Sequence, residues 1–154
     1  MEKIRGFEVA KGFEDKNINL PVRKTKYSAG YDVEAAEDCI VPSFKKGMNP
    51  TLIKTGIKAY MQDDEVLILA NRSSNPKKKG VFLANGVGIV DSDYYGNPDN
   101  DGEIGFMFYN FSDMVTIFEA GDKLGQGIFE KYYTVTDEDE ITAERTSGWG
   151  STGK

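Results

Sequence analysis

The sequence contains no histidine, and this absence excludes several kinds of catalytic site. Ser-His and Cys-His nucleophile systems cannot be built from it, and most catalytic zinc sites also use histidine ligands. Histidine is the usual neutral general base in enzymes. A base in this protein therefore has to be a carboxylate, a lysine or a tyrosine.

Cysteine is nearly absent as well, because Cys39 is the only one among 154 residues. A single cysteine excludes an internal disulfide framework and suits a reducing compartment. We interpret Cys39 as a small core residue rather than a nucleophile. The first ten residues, MEKIRGFEVA, show no basic segment followed by an apolar stretch. We therefore expect no secretion signal and a cytoplasmic location.

Long apolar runs and an excess of positive charge are also missing. No run approaches the roughly 18 apolar residues that a membrane span requires, so we expect no membrane association. The net charge of -6 argues against general nucleic-acid binding, which depends on many lysine and arginine contacts with phosphate. A phosphate-bearing substrate would need a local basic cluster or a metal ion.

Short apolar segments separated by Gly, Pro, Asn and Asp make up most of the chain, with little helical periodicity. This pattern predicts a single all-β domain, either a sandwich or a barrel. The predicted strands are 4–9, 51–60, 65–70, 81–83, 86–90, 103–111, 114–118 and 124–135. We place the β-rich core in 1–136 and a flexible C-terminal arm in 137–154, where the sequence becomes acidic and then rich in Gly, Ser and Thr.

Local signals predict one short helix and one tight turn. Ser74 or Asn75 can cap a helix that begins with Pro76. The segment 119–123, EAGDK, predicts a tight hairpin turn between two strands. The strand 103–111 has two apolar faces, so we expect both to be covered, one of them by a second subunit.

Three segments combine residues that could bind a nucleotide. In 85–96, NGVGIVDSDYYG, glycines permit close backbone approach and carboxylates follow a buried strand, although this pattern alone fits a plain hairpin better. The segment 72–80 joins two hydroxyls and a helix start to an arginine, which can hold phosphate in a bidentate way. The segment 145–153 places a tryptophan, costly to expose to water, beside hydroxyls and an arginine.

Together with a fourth and a fifth segment, these resemble in order the five motifs of the trimeric dUTPase family, of phage or Gram-positive bacterial type. The motifs are AGYD at 29–32, RSS at 72–74, GVGIVDSDYYG at 86–96, GDKLGQ at 121–126 and RTSGWGSTG at 145–153. Any one of them could arise by chance, whereas five in the family's order are a specific signal.

The resemblance implies a jelly-roll-like homotrimer with active sites shared between subunits, which hydrolyses dUTP to dUMP and pyrophosphate. Asp91 would activate the attacking water, and Mg²⁺ would be held by the triphosphate, with Asp32 reaching it through water. The residues expected to contact the substrate are Arg72, Ser73, Ser74, Asn85, Gly88, Val90, Tyr94, Gln126, Arg145, Trp149, Gly150, Ser151 and Thr152.

The resemblance also assigns roles within that set. Backbone groups between Asn85 and Asp91 would read uracil in a tight hairpin, and Tyr94 would lie against the deoxyribose and exclude a 2′-hydroxyl. Arg72, Ser73 and Gln126 would contact the phosphates. The C-terminal arm would cross to another subunit's site and close it as a lid.

Two alternatives stay open at this point. One is dCTP deaminase, which shares the fold but uses a glutamate where this chain has Asp91. The other is a dUTPase-like regulatory module in which nucleotide binding switches a contact with a protein partner. The loop 97–103 is longer than in compact members of the family, and the sequence assigns it no role.

Overall fold

The computed structural model describes residues 1–148, which form twelve short β-strands, one α-helix and two 3₁₀ turns. The strands are β1 (Gly6–Val9), β2 (Val22–Arg23), β3 (Tyr31–Glu34), β4 (Cys39–Val41), β5 (Thr51–Lys54), β6 (Ile57–Tyr60), β7 (Glu65–Asn71), β8 (Val81–Leu83), β9 (Gly88–Asp91), β10 (Gly105–Asn110), β11 (Thr116–Phe118) and β12 (Lys123–Lys131). Helix α1 spans Asn75–Lys79, and the 3₁₀ turns are Phe44–Lys46 and Ser92–Tyr94. The predicted all-β class with one short helix is confirmed.

All strand pairs are antiparallel, and they form four sheets among the described residues. The largest sheet has the order β2-β3-β12-β7-β9, and the second has the order β5-β10-β8. Two pairs, β1-β6 and β11-β4, complete the set. One buried cluster joins these sheets, and within it the rings of Phe106, Phe108 and Phe118 stack at centroid distances of 6.3 and 5.6 Å.

The predicted strand 51–60 is broken in the structure into β5 and β6. Gly56 has a φ of +70° and the Thr55 hydroxyl donates to the carbonyl of Ile104 at 2.5 Å, so the chain turns between the two strands. The very short strands β2, β3 and β4 were not predicted. Each has four residues or fewer, which is too short for an alternating apolar pattern to stand out.

The segment EAGDK forms the predicted tight turn, with the Asp122 N–H donating to the Glu119 carbonyl at 2.9 Å. The prediction that it closes a hairpin is wrong, because β11 pairs with β4 whereas β12 pairs with β3 and β7. Bonds between Ala35 and both Gly121 and Asp122 attach the turn to the segment after β3. The turn therefore carries the chain from one sheet to another.

Strand β10 buries one apolar face and leaves the other open in the single chain. Its outer face carries Met107 opposite Leu52 and Tyr109 opposite Phe82. Phe82 is 43% exposed and Phe111, just beyond the strand, is 47% exposed. The sequence predicts that both faces are covered, and this chain alone covers only one of them.

Helix α1 begins as predicted after Ser74, but not through the predicted cap. The Ser74 side chain makes no capping hydrogen bond. The buried Asn75 instead donates to the Asn71 Oδ1 and to the Leu124 carbonyl, both at 2.9 Å. Those two bonds fix the helix start against the end of β7 and the beginning of β12. No helix among residues 1–148 is long and apolar enough to cross a membrane.

We expect Asn75→Ala to lower the free energy of unfolding by about 1 to 3 kcal/mol, because it leaves a buried carbonyl without its donor. Ser74→Ala is the matched control and should change the free energy by less than about 0.5 kcal/mol. Urea unfolding of both variants measures the difference. Equal losses in the two variants would contradict the assignment of Asn75 as the anchor.

Candidate active site

A pocket of about 340 Å³ opens beside β9 and the turn that precedes it. Its lining includes the predicted site residues Asn85, Gly88, Val90, Asp91, Tyr94 and Arg145, together with Leu69, Val87, Ile89, Ile104, Gly105 and Gly148. The third motif and the beginning of the fifth motif therefore meet within one chain. The predicted residues Trp149, Gly150, Ser151 and Thr152 lie outside the described residues.

The turn before β9 is tight and lets two backbones approach closely. The Gly86 N–H donates to the Leu83 carbonyl at 3.1 Å, and Gly86 has a φ of +75°. A Cβ on Gly88 would lie 2.9 Å from the Leu69 Cβ, so only glycine fits there without a shift. The predicted hairpin is wrong in its pairing, because β8 pairs with β10 and β9 pairs with β7.

Two carboxylates hold Arg145 at the mouth of the pocket. Its Nη2 donates to the Asp91 Oδ2 at 2.7 Å and its Nε donates to the Asp93 Oδ1 at 2.8 Å. The Arg145 side chain is only 15% exposed, whereas that of Asp91 is 52% exposed. The hydrogen bond to Asp93 is the main cause that raises the pKa of Arg145. Arg145 is thus a fixed positive charge beside the predicted catalytic carboxylate.

Asp93 was not among the predicted site residues. The signal that could have found it is its spacing from Asp91 in the run Asp91-Ser92-Asp93. After β9 ends at Asp91, the 3₁₀ turn Ser92–Tyr94 turns the chain, and both carboxylates reach the same guanidinium.

Tyr94 forms part of the pocket wall and is 9% exposed. Its hydroxyl donates to the Glu103 carbonyl and accepts from the Asn100 Nδ2, both at 2.7 Å. A Cβ on Gly148 would lie 3.4 Å from the Tyr94 Cε1, which places the arm against the ring edge. Sequence reasoning did not identify Asn100 or Glu103 as neighbours of the site.

The predicted phosphate-binding residues form a second group at a different place. Gln126 lies opposite Asp32 on β3 and opposite Ala70 on β7, close to the strand end that Arg72 follows. A Cβ on Gly30 would overlap the Gln126 side chain, 2.8 Å from its Cδ. The first and fourth motifs are therefore in direct contact, and Ser73 and Ser74 follow Arg72 in the turn before α1.

Two lysines that were not predicted as site residues add positive charge to this second group. Lys123 Nζ lies 3.1 Å from the Asp32 Oδ2, and this partner raises the pKa of Lys123. The neighbouring ammonium of Lys123 lowers the pKa of Lys24. Two lysines and an arginine thus surround one carboxylate, which is the local basic cluster that a phosphate-bearing substrate requires.

Within a single chain the two groups lie at opposite ends of β7. Asp91 lies opposite Val66 near the start of β7, whereas Arg72 follows the other end of that strand. Six residues of extended strand separate positions 66 and 72, which is about 20 Å. The structure therefore brings the predicted residues together in two places rather than one.

The side chains offer little for direct binding of a metal ion. Residues 1–148 contain no group of three or more acidic or cysteine side chains placed to hold one. Asp32 supplies one carboxylate, the ligand type that Mg²⁺ prefers, and Lys123 occupies one of its oxygens. This arrangement fits an ion held mainly by phosphate oxygens and contacted by Asp32 through water.

Comparison with known proteins gives a consistent picture. A family model described as dUTPase matches residues 16–153. The deoxyuridine 5'-triphosphate nucleotidohydrolase of Lactococcus lactis subsp. lactis (strain IL1403) is 49% identical over 152 residues, which is 98% of this chain and 99% of that protein. The nucleotidohydrolase of the same name from Fowlpox virus (strain NVSL) is 36% identical over 160 residues and covers 99% of each chain.

Solved structures agree with these matches. The crystal structure of dUTPase from Streptococcus mutans has a TM-score of 0.78 at 43% identity and covers 84% of this chain and 98% of its own. This likeness confirms the predicted jelly-roll-like fold. A dUTPase from phage phi11 of S. aureus has a TM-score of 0.69 at 18% identity, covering 90% of this chain and 96% of its own, and that likeness shows the fold alone.

Glu103, whose carbonyl holds Tyr94, has a largely buried carboxyl group. Its Oε2 accepts from the N–H groups of Thr55 and Gly56 at 3.1 and 3.4 Å. Burial nevertheless raises the pKa of Glu103 above its ordinary value of 4.5. The folded state therefore binds a proton at this carboxyl more tightly than the unfolded state does.

We expect the wild-type protein to lose stability relative to Glu103→Gln as the pH rises above about 4.5, because the folded state must then ionise a buried acid. A single titrating group changes the difference by at most about 1.4 kcal/mol per pH unit. Urea unfolding of both proteins between about pH 4 and pH 7 measures this. A difference that is independent of pH, or that moves in the opposite direction, would contradict the assignment.

Proposed function

This chain belongs to the dUTPase family and is a dUTP diphosphatase, and we propose that Asp91 activates the water that attacks the α-phosphorus of dUTP. The observation that carries the proposal is the pocket beside β9, where Asp91, Tyr94 and Arg145 meet. The products are dUMP and pyrophosphate. Each part of the substrate has a group of residues suited to it.

The uracil ring is read by the backbone of β9 and the turn before it. Among the described residues β9 pairs only with β7, so its other edge offers free N–H and C=O groups to a base. Gly88 lies opposite Leu69 on β7 and carries no side chain that could cover this free edge. A pocket this close to the backbone has no room for the 5-methyl group of thymine.

Tyr94 lies against the deoxyribose and leaves no space for a 2′-hydroxyl. Arg72, Ser73, Ser74 and Gln126 bind the phosphates, with Lys24 and Lys123 adding positive charge. The arm supplies Arg145 together with the more distal residues Trp149, Gly150, Ser151 and Thr152, which cover the base and hold the terminal phosphate. Closure of the arm excludes water from the site.

Asp91 acts as the general base. Its carboxylate accepts a proton from a bound water as the water oxygen forms a bond to the α-phosphorus, and the bond from that phosphorus to the bridging oxygen of pyrophosphate breaks. Arg145 Nη2 lies 2.7 Å from the Asp91 Oδ2. A triphosphate competes for this guanidinium, so substrate binding frees Asp91 to hold the water.

Asp32 is the protein group that would reach a Mg²⁺ ion through water, and the triphosphate of the substrate would hold that ion. When bound, the ion neutralises negative charge on the phosphates. The pairing of Asp32 with Lys123 keeps its carboxylate oriented towards the second group of residues.

A second chain completes each site. The backbone separation of about 20 Å between the positions of Asp91 and Arg72 places the two groups at opposite ends of β7 in one chain, which supports a site that another copy completes. The open face of the β5-β10-β8 sheet, with Leu52, Phe82, Met107 and Tyr109, is an apolar surface that a neighbouring copy can cover. We assign the assembly as a homotrimer with shared active sites.

The sequence left two alternatives open, dCTP deamination and a regulatory role. The relatives named above are nucleotidohydrolases, which favours hydrolysis over the deamination of dCTP. A second role in binding a regulatory protein partner stays a prediction, as do the cytoplasmic location and the division into a core of 1–136 and an arm of 137–154.

We expect the wild-type protein to release pyrophosphate from dUTP with Mg²⁺, and to be at least about 10²-fold slower with dTTP, dCTP or UTP or after chelation of the metal. Asp91→Asn should lower turnover of dUTP by at least roughly 10²-fold while retaining dUTP binding, because it removes the base and keeps the size of the side chain. Pyrophosphate release and equilibrium binding of a non-hydrolysable dUTP analogue are the measurements.

Asp93→Asn is the matched control, because it also removes a carboxylate partner of Arg145 but not the proposed base. Its turnover should fall by less than about 10-fold, the range of one lost charged contact at a partly exposed site. Equal losses in the two variants would assign both carboxylates to holding the arm. Ammonia released from dCTP would instead identify a deaminase.

We expect mixed assemblies of Asp91→Asn and Arg72→Ala to recover about a quarter of the wild-type activity after random mixing, because sites built from two different chains can then contain both native residues. Co-refolding of the inactive variants, followed by the pyrophosphate assay, tests this. If both residues of a site came from one chain, mixing would restore nothing.

Asp91→Asn mixed with Tyr94→Ala is the control for that experiment. Both changes lie at the same pocket of one chain, so every site retains one defect whichever chains combine. No recovery is expected from this pair, and recovery in both mixtures would contradict the proposed sharing.

A further inference from the structure

The loop 97–103 is hydrogen-bonded to Tyr94 through a network in which the polar atoms have defined partners. The N–H of Gly102 donates to the Asn100 Oδ1 at 3.0 Å, so the amide oxygen faces Gly102 and the Nδ2 faces Tyr94. Because the Nδ2 donates to the Tyr94 hydroxyl, that hydroxyl donates in turn to the Glu103 carbonyl. The donor and the acceptor of each of these three hydrogen bonds are therefore determined.

The same loop packs directly on the backbone of Tyr94. Gly102 has a φ of +82°, and a Cβ there would lie 2.6 Å from the Tyr94 carbonyl oxygen. The N–H of Asn97 donates to that same carbonyl oxygen at 3.1 Å. Tyr94 is thus held at its main chain and at its hydroxyl by one short segment.

A partly buried ion pair attaches the loop to β6 and to the segment after β1. Lys58 on β6 contacts the Asp101 Oδ2 at 2.8 Å, and the Lys11 N–H donates to the same oxygen at 2.9 Å. The pairing raises the pKa of Lys58 and lowers that of Asp101. Asp101 has a φ of +61°, an uncommon backbone conformation that these two contacts maintain.

The arm passes the same point. A Cβ on Gly148 would lie 3.4 Å from the Tyr94 ring and 3.6 Å from the Asn100 Nδ2. Asn100 therefore borders both the ring that faces the sugar and the segment that leads to the end of the arm. A shift of this amide would move the hydroxyl end of the ring and alter the surface that the arm meets.

From these contacts we propose that Asn100 is a positioning residue for Tyr94, through which the loop 97–103 sets the discrimination between dUTP and UTP. This inference rests on the proposed role of Tyr94 against the deoxyribose. The space at the 2′ position depends on where the ring lies, and the two bonds to its hydroxyl keep it from tilting away. A ring freed at that end would admit the ribose hydroxyl more readily.

The test compares kcat/KM for dUTP and for UTP in Asn100→Ala and in Asp99→Ala. Asp99 is an exposed residue of the same loop, and its side chain makes no hydrogen bond within residues 1–148. Asn100→Ala should lower the dUTP to UTP ratio by roughly 3- to 10-fold, the effect of one neutral hydrogen bond. Asp99→Ala should leave the ratio within about 2-fold of wild type. Equal losses for both substrates in Asn100→Ala would overturn the inference.

A double-mutant cycle with Tyr94→Phe separates a positioning role from a general loss of stability. If Asn100 acts through the Tyr94 hydroxyl, Asn100→Ala lowers the ratio no further in a protein that already carries Tyr94→Phe. Independent, additive effects of the two substitutions would overturn the inference.

Tyr94→Ala distinguishes failure of this inference from failure of the proposed function. If Tyr94→Ala collapses the ratio and Asn100→Ala does not change it, only the role of the loop is overturned. If Tyr94→Ala also leaves the ratio unchanged while dUTP is still hydrolysed, the role of Tyr94 against the sugar and the inference built on it are overturned together. The inference is supported if Tyr94→Ala and Asn100→Ala both lower the dUTP to UTP ratio and Asn100→Ala lowers it no further in the Tyr94→Phe protein.

Discussion

The pairing of β7 on both of its edges sets the positions of the two groups of candidate site residues. One edge pairs with β12, which places Gln126 beside the end of the strand that Arg72 follows. The other edge pairs with β9, which places Asp91 near the opposite end. An extended strand cannot shorten, so these ends stay apart whatever the loops do. An isolated chain thus places the two groups of candidate residues at opposite ends of one strand, and this separation is the basis for proposing that a second copy completes each site.

Local sequence signals were sufficient for the parts of this molecule that local interactions build. The short helix α1 and the turn at Gly121 were both predicted from the residues within them, although bonds to Leu124 and Ala35 hold them in place. The pocket residues Asn85 to Tyr94 are also contiguous, because one turn and one strand position them. Their chemistry was assigned by resemblance to a family, since the bare pattern alone fits a plain hairpin better.

Pairings between distant segments could not be predicted from the sequence. Both turns interpreted as hairpins connect strands of different sheets, because partner choice is decided by packing across the core rather than by the turn itself. The contact of Arg145 with Asp93 joins positions 52 residues apart, and that of Lys58 with Asp101 joins positions 43 apart. The loop 97–103 had no assigned role for the same reason, since its partners lie on other elements.

A site without histidine places unusual demands on positioning. An aspartate is a weaker base than imidazole, so placement of the water and stabilisation of charge must provide much of the rate. The structure meets this demand with side chains that are each held by more than one contact. Arg145 has two carboxylate partners and the Tyr94 hydroxyl has two hydrogen bonds. Asn100 and Asp101, which belong to none of the five motifs, take part in the same network of contacts.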